Sequence, residues 1–96
     1  MSHVIDLLKN RLRTNFQLLE AITFSNIYME EGADSNFLEN SRRIVSDILN
    51  SNLSHNRSNI RMLKIGIRTL RDHIRLRKQR VRLLVAKRTR DSLVGA

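Results

Sequence analysis

The sequence predicts an all-α fold of three helices: a helical hairpin packed on a long basic third helix that projects as an arm. Three observations lead there. Proline is absent and the three glycines sit at Gly32, Gly66 and Gly95, so long stretches carry no breaker. Apolar residues recur at spacings of three and four through most of the chain, which is the period of one helix face. Charge is divided unevenly: residues 1–56 hold five Lys/Arg against seven Asp/Glu, net −2, and residues 57–96 hold thirteen against two, net +11. The basic character therefore belongs to one element.

The first helix is expected over residues 3–30. Ser2 can cap it, Ile5, Leu8, Leu12, Phe16, Leu19, Ile22 and Met29 line one face, and Gly32 marks the exit. Asn15 and Asn26 fall among those apolar positions. A buried Asn there would fix register at some cost in stability, and partial exposure is equally compatible with the pattern.

A second helix is expected over residues 35–50, opened by Asp34 or Ser35, with Phe37, Leu38, Ile44, Val45, Ile48 and Leu49 on its apolar face. The polar stretch from Asn50 to Asn56 supplies a turn. Its two Asn-x-Ser triplets, at Asn52 and Asn56, read as turn chemistry and not as glycan sites.

The third helix, capped by Ser54 or Asn56, is expected over residues 56–92. Ile60, Leu63, Ile67, Leu70, Ile74, Val81 and Leu84 form one three-four seam, interrupted at Arg77 and ended at Arg88. A guanidinium on the seam is costly to bury without a partner, so cover from the rest of the chain should stop near Ile74. Gly66, in the middle of this helix, costs about 1 kcal/mol relative to alanine. It is expected to mark either a close approach of another backbone, the favoured reading, or a bend of the helix.

Beside the seam runs a second series: Arg57, Arg61, Lys64, Arg68, Arg71, Arg75, Lys78 and Arg82, spaced 4, 3, 4, 3, 4, 3, 4, with every position basic. At about 1.5 Å per residue it makes a cationic stripe roughly 37 Å long. Arg77, Arg80, Lys87, Arg88 and Arg90 are expected to thicken it toward the C-terminal end into a nearly all-round cationic surface. A solvated helix face is the ordinary reading of a charge run. Eight basic positions on one face, with only Asp72 and Asp91 as acids in the whole region, repel one another unless an anion is supplied. Arginine outnumbers lysine fourteen to four, and guanidinium pairs bidentately with phosphate or carboxylate where ammonium cannot.

Together these thirteen cations are the candidate nucleic-acid-binding residues, with Arg11, Arg13 and Arg43 expected to contribute much less. All four aromatic residues, Phe16, Phe24, Tyr28 and Phe37, lie in the acidic half. Bases therefore have no stacking platform on the basic helix, which disfavours single-strand recognition. There is no short recognition helix after a tight turn either. Contact with the phosphate backbone of DNA or RNA, at low sequence specificity, is what remains.

Length bounds the rest. Ninety-six residues are one domain, 1–96, and a chain this short buries only a modest share of its surface. Leu, Ile, Val and Phe number 31, enough for a thin core. With no cysteine and no zinc-ligand spacing, self-association or insertion into a larger complex is expected to complete the cover.

The N-terminus has neither a basic n-region nor an apolar stretch, which points to an intracellular protein or one carried within a nucleoprotein or virus particle. Membrane docking is disfavoured because the basic helix lacks Trp and Phe and prefers arginine to lysine. His3, His55 and His73 are scattered, and Glu30, Glu31 and Asp34 lack the ligand spacing of a calcium loop. No phosphate loop or nucleophile elbow is present. The expectation is a non-enzyme without cofactor or metal, a structural or accessory subunit of a nucleoprotein or virion-type assembly. The alternative is a helical adaptor or inhibitor that docks its arginines on acidic protein surfaces.

Overall fold

The computed structural model describes residues 2–24 and 35–95, and these residues form three helices: α1 (Ser2–Thr23), α2 (Ser35–Asn50) and α3 (Arg57–Val94). This is the all-α arrangement the pattern predicts, with α1 and α2 packed as a hairpin on the N-terminal part of a long α3. The expected extension of the first helix over 25–30, its Gly32 exit, Asn26 and the acidic cluster at 30–34 lie outside the described residues.

On α1 the side chains of Ile5, Leu8, Leu12, Phe16, Leu19 and Thr23 are buried, at spacings of three and four, so one stripe faces inward for the whole helix. Thr23 occupies its last buried position because its hydroxyl donates to the Leu19 carbonyl at 2.7 Å. Phe24 keeps its N–H on the Glu20 carbonyl while its ring stays exposed. Asn15 is half-buried, and its amide donates to the Arg11 carbonyl of its own helix at 2.8 Å.

α3 answers with Leu63, Ile67, Leu70 and Ile74, all buried, flanked by half-buried Ile60, Val81 and Leu84. Its start is fixed by Asn56, whose side-chain oxygen accepts from the Asn59 N–H at 2.8 Å and so satisfies one orphan donor of the first turn.

Shared surface concavities give the direction of packing. Leu8 and Ile67 border one concavity, Leu18 and Ile74 the next, and Ile22 and Val81 another, and Leu12 faces Gly66, so α1 runs parallel to α3 with its late residues level with Val81. α2 runs back antiparallel to both: Arg42, at its middle, pairs with Glu20 near the end of α1 at 2.8 Å, and Lys9 in the first half of α1 donates to the Ser51 carbonyl just past the end of α2. The Glu20 hydrogen bond is the main reason the Arg42 pKa is raised above its ordinary value; desolvation opposes it. α2 buries Leu38 and Val45. Ile44, expected on its apolar face, is 60% exposed because it borders an open groove toward α3 of about 200 Å³.

Two expectations about the seam of α3 need correcting. Apolar cover does not stop at Ile74: Arg77 is itself buried, 8% exposed. Its guanidinium carbon lies 5.0 Å from the Phe37 ring centroid, and its Nη1 is 3.4 Å from His73 Nδ1, whose ring packs on Phe37 at 4.6 Å. A flat cation resting on an aromatic face tolerates this burial better than an ammonium would. Gly66, for its part, meets no other backbone. Among the described residues, a Cβ placed there would touch only the Leu12 side chain, at 3.4 Å, and α3 continues through the position without a break.

By this register the described end of α1 lies level with Val81 and Arg82. α3 then continues for about a dozen residues, roughly 18 Å, and residues 85–95 are exposed throughout.

Candidate nucleic-acid interface

The cationic series lies where seam and surface meet. Burying Leu63, Ile67, Leu70 and Ile74 against α1 turns the neighbouring helical row outward along the α1–α3 junction, and all eight of its members, Arg57 through Arg82, are exposed. They line three concavities that overlap end to end.

The first, about 460 Å³, has Arg57, Arg61, Lys64 and Arg68 around Ile60 and Ile65. Next, about 560 Å³, come Lys64, Arg68, Arg71 and Arg75 around Leu8 and Ile67. The third, about 510 Å³, has Arg71, Arg75, Lys78 and Arg82 around Leu18 and Ile74. Neighbouring concavities share two cations each, so the row forms one continuous shallow channel with an apolar floor and a basic rim.

The acid at this channel is Asp72, 3.6 Å from Arg75 with both side chains more than half exposed. A contact this open is worth little and leaves the field along the channel strongly positive.

The structure adds a residue that the sequence reading set aside. Arg11 of α1 lines the middle section opposite Lys64, Arg68 and Arg71, so the rim is two-sided there. Its signal was available: Arg11, Asn15 and Leu18 form a four-three row on the flank of the α1 seam, and Asn15 and Leu18 line the following section. Arg13 instead donates to Asn10 on the outer surface at 2.8 Å.

Of the thirteen expected cations, eight stand along the channel. Arg80, Lys87, Arg88 and Arg90 are exposed and lie beyond or around it. Arg77 does not join them, because its side chain is turned inward onto Phe37 and His73.

Among the described residues, no group of three or more His, Cys, Asp or Glu is placed to hold a metal ion. No described helix is long and apolar enough to cross a membrane. Comparison of the chain with protein-family models, with curated proteins and with solved structures returns no match.

Proposed function

We propose that the chain is a non-catalytic accessory or structural protein that binds the phosphate backbone of nucleic acid along the α1–α3 channel, as a subunit of a larger nucleoprotein or virion-type assembly. One observation carries this reading: eight cations of one helix, Arg57 to Arg82, stand exposed in a continuous row and are joined from α1 by Arg11. Such a row repels itself in isolation. It gains free energy when phosphates displace condensed counterions.

A titration of a random-sequence duplex at several salt concentrations tests the reading. Engaging about six to eight phosphates gives a log-log slope of roughly −5 to −7. Absence of binding at low salt would remove it.

The apolar surface left accessible along the channel, Ile60, Ile65 and Leu18, favours a second reading. An amphipathic helix of another protein, with acids beside its apolar stripe, would cover floor and rim together. Capture of such a peptide with no duplex binding would favour the adaptor over the nucleoprotein subunit.

A further inference from the structure

We infer that the exposed C-terminal stretch of α3 enters the major groove of B-form DNA while the bundle rides on the flanking backbone, so that the ligand is duplex DNA and not duplex RNA. This rests on the phosphate-binding reading above and concerns a different part of the same helix. Its basis is a change in how the cations are distributed once α1 ends.

Beside α1, the exposed cations of α3 form a row on one side of the buried seam, as suits a body lying against a single phosphate wall. Past Arg82, beside the seam that ends at Leu84 and Arg88, Val85, Thr89 and Ser92 form a row at i, i+4 and i+7, all exposed and none of them long. At 3.6 residues per turn, Arg82 flanks this row on one side and Arg88 on the other, with Arg90 further round on the Arg82 side and Lys87 on the opposite face. A small-residue face between two cationic flanks suits a helix with bases in front and phosphates on both walls.

Dimensions select the groove. A single helix is about 10–12 Å across, and the major groove of B-DNA is about 12 Å wide. The described structure measures 61 × 19 × 15 Å. Its bundle is too thick to enter, whereas the roughly 18 Å of uncovered α3 can. The deep, narrow major groove of A-form RNA excludes a helix. Val85 and the Thr89 methyl can meet thymine methyl groups but offer no bidentate base readout, so entry adds affinity with little sequence preference. The Thr89 hydroxyl is already committed to the Val85 carbonyl, at 3.0 Å.

The experiment compares the full chain on DNA and RNA duplexes of one sequence, about 20 base pairs long, by fluorescence anisotropy at one salt concentration. DNA should bind about tenfold or more tightly. Bulky substituents on pyrimidine C5, which fill the major groove, should erase that advantage, and a minor-groove-binding dye should not. The Arg82→Gln, Arg88→Gln, Arg90→Gln variant, checked for unchanged helicity, should bring the two affinities to within about twofold by weakening DNA binding more than RNA binding.

Equal binding of the two duplexes by the unmodified chain, or indifference to the C5 substituents, overturns groove entry and leaves the backbone reading standing. Binding to neither duplex overturns both.

Discussion

Replacing Gly66 with alanine tests the register of α1 against α3 through one methyl group. Glycine inside a helix costs about 1 kcal/mol relative to alanine, and Gly66 lies well within the 38 residues of α3. The opposing term is steric. The new Cβ would meet Leu12 Cδ1 at 3.4 Å, an ordinary contact with the end of a flexible side chain. The propensity gain therefore dominates, and Gly66→Ala should stabilise by about 0.5–1 kcal/mol, or roughly 2–8 °C in Tm for a domain this small.

Thermal and urea melts followed by circular dichroism measure it, with an unchanged urea slope showing that the surface exposed on unfolding is the same. Gly66→Leu should do the reverse, by about 1–3 kcal/mol, because its longer side chain must displace buried Leu12. Destabilisation by alanine would refute the reasoning, since it would mean that α1 lies closer to α3 than the Leu12 contact allows.

Three further outcomes follow from contacts already described. Asn56→Ala removes the cap of α3 and should cost about 1 kcal/mol in urea unfolding. Phe37→Ala withdraws the ring that packs on His73 and underlies Arg77; Phe37 is only half-buried, so the loss should be about 2 kcal/mol, below that of a fully buried Phe. Arg11→Gln should make the salt dependence of duplex binding shallower by about 0.9, as for one cation of the α3 row, whereas Arg13→Gln should change it little.

The three-four seams and the basic series could be read from the sequence because they follow one helix at a time. Leu63, Ile67, Leu70 and Ile74 are buried as their spacing requires, and Asn56 caps the helix it precedes. What escaped the reading depends on how helices meet. Arg77 marks an end of cover in the sequence because a guanidinium is costly to bury alone, and only the packing of α2 shows Phe37 arriving beneath it. Nothing in the sequence of α1 alone says whether Arg11 or Arg13 faces the cations of α3. The parallel register of α1 and α3 separates them, placing one on the channel and the other on the outer surface. Gly66 suggested a close backbone, but small residues admit side chains as readily, and here the neighbour is Leu12.

The central claim is that the channel, and not net charge, binds the phosphates. Two variants that lose equal charge decide it: Arg75→Gln with Arg82→Gln on the channel, and Arg13→Gln with Arg43→Gln away from it. The measurement is the salt dependence of binding to a random-sequence DNA duplex. The channel pair should make the log-log slope shallower by about 1.8, lowering affinity similarly for unrelated sequences, and the distant pair should leave the slope within about 0.3 of the unmodified chain. Equal changes from both pairs would contradict the account and reduce the row to an ordinary solvated face.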